Sequence, residues 1–168
     1  TLSAGSNYTI NLSDNSLVIH PKAMSITAHV QTKVYGSPDP TLIYSTDGLI
    51  EGDVLTGSLS RAPGDSVGSY AINQGSLDNI NYTIYFAAGE LSITRKALTI
   101  TAHAVSKVYG GSDPALTYTT DVLINGDVLS GTLLRAPGEN AGTYAITQGT
   151  LANGNYSITF IGNYFTIT

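Results

Sequence analysis

The sequence predicts an all-β protein built as two small modules in tandem, each a β-sandwich of immunoglobulin-like kind. Three observations predict it. Apolar and polar residues alternate strictly in short runs, the signature of half-buried strands. Gly, Pro, Asn and Asp punctuate those runs as turn chemistry requires. And the text repeats: residues 22–94 align with 96–168 at a constant offset of 74 without a gap, with about 42 of 73 paired positions identical. The division is a first complete module at 22–95 and a second at 96–168. Residues 1–21 fall in the same register, because NYTINLSDNSLVIHPK from Asn7 matches NYTIYFAAGELSITRK from Asn81. They are expected to be the closing hairpin of a preceding copy, on a chain that opens in mid-pattern. An isolated hairpin is marginal in water, so residues 7–20 are expected to pair with the first module or with a neighbour.

The elements of a module follow in order. KAMSITAH from Lys22 and KALTITAH from Lys96 put Met24 and Ile26, or Leu98, Ile100 and Ala102, on one face. Asp39-Pro40 and Asp113-Pro114 impose an extended or turn conformation that ends any strand. TDGLIEG from Thr46 and TDVLING from Thr120 predict one short helical turn each, closed by Gly52 and Gly126. LTGSLSR and LSGTLLR predict strands with Leu55 and Leu59, or Leu129 and Leu133, facing inward. Ala62-Pro63-Gly64 and Ala136-Pro137-Gly138 carry the type II turn pattern between two strands, so each makes a hairpin. Tyr70 and Ile72, Tyr144 and Ile146, then Tyr82, Ile84 and Phe86, then Tyr156, Ile158 and Phe160 continue the inward face. Leu91 and Ile93, with Phe165 and Ile167, close it. Six or seven strands result. A β-grasp arrangement, with the short turn at 46–52 or 120–126 standing for its helix, is the alternative. Only Arg95 and Lys96 separate the last strand of one module from the first of the next, with neither Gly nor Pro, which predicts a stiff joint.

Composition excludes several functions. Charged residues are 11% of the chain and the net charge is -5, with seven basic residues, so the basic footprint of a nucleic-acid binder is missing. Apolar runs are far shorter than the roughly 20 residues that span a bilayer as a helix. Cysteine is absent, which removes disulfides and thiolate chemistry.

The order K-x-YG-x-x-DP-x-L-x-Y, G-D-x-L-x-G-x-L-x-R-x-P-G, G-x-Y-x-I-x-x-G-x-L, NY-x-I-x-F and a closing I-T resembles the Tyr-Gly variety of the MBG repeats of large bacterial surface adhesins. Lys33, Tyr35, Gly36, Asp39, Pro40, Leu42 and Tyr44 carry it in the first copy. Lys107, Tyr109, Gly110, Asp113, Pro114, Leu116 and Tyr118 carry it in the second. The copies differ just after the Tyr-Gly step, at Ser37-Pro38 and Gly111-Ser112. The resemblance implies an extracellular or cell-surface location, tandem arrays, and association with biofilm or host attachment. A mucin- or glycan-binding role goes with the name, and no catalytic motif does.

Candidate chemistry is sparse. His29 and His103 are repeat-matched and fall on the predicted solvent face, and His20 is alone; no nucleophile elbow accompanies them. No catalytic residue or cofactor is assigned. Calcium is the one metal weighed, with Asp39, Asp53, Asp113 and Asp127 as candidates, alongside Asp47 and Asp121. Such a site needs six to eight oxygens; the plainer reading of these residues is turn chemistry. A Lys-Asn isopeptide crosslink would draw on Lys33 and Lys107 with Asp53 and Asp127 as the acid, against exposed lysines near a turn. The Asn-Tyr-Thr/Ser triplets at Asn7, Asn81 and Asn155 read as a turn Asn before a buried Tyr. Tyr85 and Tyr164 break the repeat and are expected to be exposed. The function expected is that of a stiff spacer in a surface adhesin, with neighbouring repeats as partners; binding of mucin or biofilm glycans is the alternative.

Overall fold

The computed structural model describes residues 17–124 and 126–168. Each module has seven strands. The first holds β1 (Lys22–Ala28), β2 (Gln31–Val34), β3 (Tyr44–Asp47), β4 (Ser60–Arg61), β5 (Gly68–Asn73), β6 (Tyr82–Ala87) and β7 (Gly89–Thr94). The second holds β8 (Lys96–Ala102), β9 (Val105–Lys107), β10 (Tyr118–Thr120), β11 (Leu134–Arg135), β12 (Gly142–Thr147), β13 (Tyr156–Ile161) and β14 (Asn163–Ile167). No helix occurs among the described residues. Each module divides its strands between a three-stranded sheet, β3-β1-β6 or β10-β8-β13, and a four-stranded one, β2-β7-β5-β4 or β11-β12-β14-β9.

The sheets face each other because alternation gives each one an apolar side. Along β1, Met24, Ile26 and Ala28 are buried while their neighbours are exposed. Ala28 of one sheet packs with Ile72 and Leu91 of the other, and Leu59 and Phe86 bridge to the cluster around Met24, Ile26, Leu77 and Tyr82. Burying such side chains is worth roughly 1.5–3 kcal/mol apiece.

Two long chain segments pass through both sheets. Residues 22–34 run from β1 into β2, and residues 82–94 from β6 into β7. They are parallel neighbours throughout: Lys22 pairs with Tyr82 and Thr27 with Ala87, then Gln31 with Leu91 and Val34 with Thr94, always at the same separation in sequence. The second module repeats this, from Lys96 with Tyr156 to Lys107 with Ile167. An immunoglobulin sandwich is antiparallel; here a parallel pair ties the two sheets at their corner, and the remaining pairs are antiparallel. The corner demands close approach. A Cβ at Gly89 would lie 2.7 Å from the Ala28 carbonyl oxygen.

Three local expectations are corrected. Where helical turns are expected at 46–52 and 120–126, β3 and β10 run into the start of each stretch and no helix forms among the described residues; the Asp53 N–H instead closes on the Ile50 carbonyl at 3.0 Å and the Asp127 N–H on Ile124 at 2.9 Å. So the β-grasp helix has no counterpart there. The stretches Leu55–Leu59 and Leu129–Leu133 are not strands but single bridges, Thr56 with Asp78 and Ser130 with Ala152. Gly57 has φ 86°, and a Cβ on it would lie 2.1 Å from the Ser76 carbonyl oxygen, so the chain bends where a strand would run on. The Pro63-Gly64 and Pro137-Gly138 turns do make hairpins, β4 with β5 and β11 with β12. Their loops are wider than a four-residue type II turn. Gly64 sits at φ 130°, and the loop's carbonyls of Ala62 and Gly64 accept from Arg61 Nη1 at 2.9 and 2.5 Å.

Candidate functional site at the joint between the modules

Two arrangements explain the repeated motifs. The first is an ionic cluster inside each module. Lys33 on β2 reaches Asp39 Oδ1 at 2.6 Å, and Arg61 on β4 reaches Asp39 Oδ2 at 2.5 Å and Asp65 at 2.8 Å. In the second module Lys107 meets Asp113 at 2.5 Å and Glu139 at 2.6 Å, and Arg135 meets Asp113 at 2.7 Å and also Glu139. The guanidinium of Arg61 lies over the Tyr70 ring, and that of Arg135 over Tyr144 and Phe165. The Lys33 and Lys107 side chains are only 8% and 7% exposed, so they are not surface lysines. Burial makes a carboxylate partner necessary. The Asp-Pro step therefore supplies the carboxylate that holds one sheet edge and the Pro-Gly hairpin together. Arg61 and then Lys33 hold the Asp39 carboxyl below the usual carboxylate range. Arg135 and Lys107 do the same for Asp113, and Lys107 and Arg135 for Glu139.

The second arrangement is the joint. The Tyr35 N–H donates to the Thr94 carbonyl at 2.8 Å, which extends the β2–β7 ladder by one rung. Gly36, at φ 81°, then turns the chain, and Ser37 N–H closes the turn on Val34. Tyr35 is thus fixed at the far tip of the first module and points into the second. Its hydroxyl donates to Asp127 Oδ2 at 2.8 Å, the same oxygen that accepts from the Tyr156 hydroxyl at 2.9 Å. The Tyr156 oxygen in turn accepts the Ile124 N–H at 2.9 Å. The Tyr35 and Tyr156 rings meet edge to face, with centroids 5.6 Å apart, an arrangement that aromatic quadrupoles favour. Val67 N–H donates to Asn155 Oδ1 at 3.1 Å, and Arg95 Nε to the Gly154 carbonyl at 3.1 Å. Tyr35 and Ile93 from the first module share one buried cluster with Leu98, Ile100 and Tyr156 from the second. Asp127 raises the Tyr35 hydroxyl pKa by accepting its hydrogen bond, with burial adding to it; for Tyr156 burial comes first.

The predicted site residues thus sort into these two places. Asp39 and Asp113 sit in the ionic clusters. Asp127 sits in the joint, and Asp53 accepts the Tyr82 hydroxyl at the equivalent place on the first module. No three His, Cys, Asp or Glu side chains among the described residues converge as metal ligands would. Lys33 and Lys107 meet Asp39 and Asp113, not the Asp53 and Asp127 of the crosslink expectation. Pro40 and Pro114 follow the cluster aspartates. Gly64 and Gly138 give the rings of Tyr70 and Tyr144 room, since a Cβ would approach them to 2.4 and 2.1 Å. His29 and His103 are exposed beyond the ends of β1 and β8. Tyr82 and Tyr156 are buried after their turn asparagines, while Tyr85 and Tyr164 are 63% and 60% exposed. The expected hairpin at 7–20 lies outside the described residues as far as residue 16; Leu17–His20 form no strand and are exposed. Sequence reasoning did not find Tyr35 as a joint residue. The signal that could have found it was the alternation Lys33-Val34-Tyr35, which sends Tyr35 to the side of Lys33 at the end of a strand.

Comparison with curated proteins gives no match. The sequence pattern of the family described as MBG domain (YGX type) matches residues 24–92 and again residues 98–166. Those two spans cover both sandwiches, and the Tyr-Gly step that the description marks is the turn that presents Tyr35 to the joint. The chain belongs to the MBG domain family of the YGX type and carries two of its modules in tandem.

Proposed function

We propose that the chain is a stiff, non-catalytic spacer in the surface-exposed part of a bacterial adhesin, holding other parts of that protein away from the cell. The observation that supports this best is the joint. Tyr35 is 5% exposed while its counterpart Tyr109, on the same turn of the second module, is 65% exposed. The difference is what the second module covers. A joint with a shared apolar cluster, three cross-module hydrogen bonds involving side chains and one linking residue leaves little freedom to hinge. No helix among the described residues is long and apolar enough to cross a membrane. A glycan-binding role would call for an exposed aromatic surface in both copies, and the exposed Tyr85 has Thr159 as its counterpart.

The test uses NMR relaxation to ask whether the modules tumble together. The unmodified chain is expected to tumble as one elongated body, and Tyr35→Ala, which takes the ring and the hydroxyl out of the joint, to loosen the modules from each other. Tyr109→Ala is the matched control, since Tyr109 stands on the same turn of the second module and is 65% exposed. Independent tumbling of the two modules in the unmodified chain would overturn the proposal.

A further inference from the structure

The duplication shows one surface in two situations. On the second module, the face around Tyr156, Asp127 and Ile124 is covered by the Tyr35 turn. On the first module, the matching face is a pocket of about 310 Å³ lined by Ile19, Ile50, Asp53, Ile80 and Tyr82 among others. Its chemistry is the same. The Tyr82 hydroxyl donates to Asp53 Oδ2 and accepts the Ile50 N–H at 3.0 Å, as Tyr156 does with Asp127 and Ile124.

A second observation points to what belongs there. Leu17 and Ile19 are 88% and 85% exposed, yet their repeat counterparts Leu91 and Ile93 are 0% and 2% exposed. Leu91 and Ile93 are buried because β7 lies between β2 and β5 of its own module. Exposed Leu and Ile at those places lack the module body that buries them elsewhere in this chain. Ile50 and Ile80, at 53% and 89% exposed, extend the apolar surface to the rim of the pocket.

We propose that this face, with Leu17–Pro21 leading into it, is the docking surface for a further MBG module carried ahead of it on the same chain. That module would seat its own Tyr-Gly turn beside Ile50 and Tyr82, with its tyrosine hydroxyl on Asp53. It would bury Leu17 and Ile19 between two of its strands. A second copy of this chain fits less well, because its closing strand would have to take the path that Leu17–Pro21 occupy. The joint would be more apolar than the one seen. Pro21 and Ile80 replace Arg95 and Gly154, so the Arg95-to-Gly154 hydrogen bond has no equivalent and apolar surface takes its place. The inference rests on the joint geometry and not on the spacer role.

The test compares the chain as it stands with one in which residues 22–80 are placed ahead of Asn7, so that the Asn-Tyr-Thr triplet continues the register. Hydrogen exchange is read at the Leu17 and Ile19 amides. In the extended chain they are expected to slow by on the order of a hundredfold, into the range of Leu91 and Ile93. Asp53→Ala, or Tyr35→Phe in the leading module, should return part of that protection. A leading module that folds while these amides stay fast overturns the proposal. So does a leading module that fails to fold, since residues 7–20 are required to complete it. Protection that appears in the unextended chain as its concentration rises assigns the face to a second copy and overturns the proposal as stated. Module tumbling is unaffected by any of these results, so the spacer reading stands or falls separately.

Discussion

At the scale of single residues, one carboxylate oxygen decides how the joint responds to pH. Asp127 Oδ2 accepts from both Tyr35 and Tyr156. Ionising Tyr35 would turn a charge-assisted hydrogen bond into two facing negative charges. The folded protein therefore holds this proton more tightly than the unfolded chain does, and the Tyr35 hydroxyl titrates above its ordinary range. By linkage, this contribution is complete below about pH 10, where the unfolded tyrosine titrates, and is lost as pH rises through the higher folded value. The expected outcome is a joint that opens in alkali before the modules unfold, followed by tyrosinate absorbance and module tumbling. Tyr35→Phe removes that step and weakens the joint at neutral pH by about 1.5–3 kcal/mol, the scale of a hydrogen bond to a charged group. Asp127→Asn keeps an acceptor but not the charge, so the Tyr35 titration should move down toward the ordinary tyrosine value. An unchanged titration in that variant would show that Asp127 is not the cause. Tyr109→Phe should alter nothing, because Tyr109 is 65% exposed.

Elements are held by the ionic clusters, and here the response is to acid. Asp39 and Asp113 each join a strand lysine to an arginine at the base of the Pro-Gly hairpin, and their carboxyls titrate below the ordinary range. A depressed carboxyl contributes stability above its unfolded pKa, near about 4, and that stability disappears as pH falls through the lower folded value. Urea midpoints should be flat near neutrality and fall below about pH 4. Asp113→Asn should flatten the fall for the second module only; an equally steep fall in that variant would place the acid sensitivity elsewhere. These elements also show what the sequence made legible. Alternation placed Met24, Ile26, Leu91 and Ile93 correctly, because a period of two is a property of the strand itself. It failed at Leu55–Leu59, where spacing looked right but positive-φ Gly57 and the nearby Ser76 carbonyl bend the chain. Propensity cannot see a neighbour brought close by the fold. For the same reason the sequence puts Lys33 and Asp39 in one motif and Arg61 in another, with nothing in the spacing to join them. Asp39 lies six residues from Lys33 and 22 from Arg61, and the three become one cluster only when β2 and β4 join the same sheet. The buried Tyr35 was hidden differently, since its environment belongs to the next module.

For the whole molecule, the direction of strand pairing sets how load is carried. When the chain is pulled at its two ends, tension enters the first module at Lys22 and leaves at Thr94. Those residues are at opposite ends of two parallel segments, 22–34 and 82–94, which are joined by six paired positions in one sheet and four in the other. Pulling the ends apart slides the segments along each other, and every rung must yield together. The second module has the same arrangement, with six and three paired positions. Antiparallel neighbours loaded at adjacent ends would instead open rung by rung. The chain contains such a pair as an internal comparison: Ser25 on β1 faces Asp47 on β3 at the end of their ladder. Force spectroscopy with handles at the chain ends should give one high-force event per module. With handles on Ser25→Cys and Asp47→Cys, in a chain that has no cysteine of its own, the first module should open at a clearly lower force. Equal forces in the two geometries would mean that rupture is set by something other than the parallel pair. Tyr35→Ala should leave the end-to-end unfolding forces of the modules nearly unchanged while softening extension before the first event, because the joint transmits load and the parallel segments resist it.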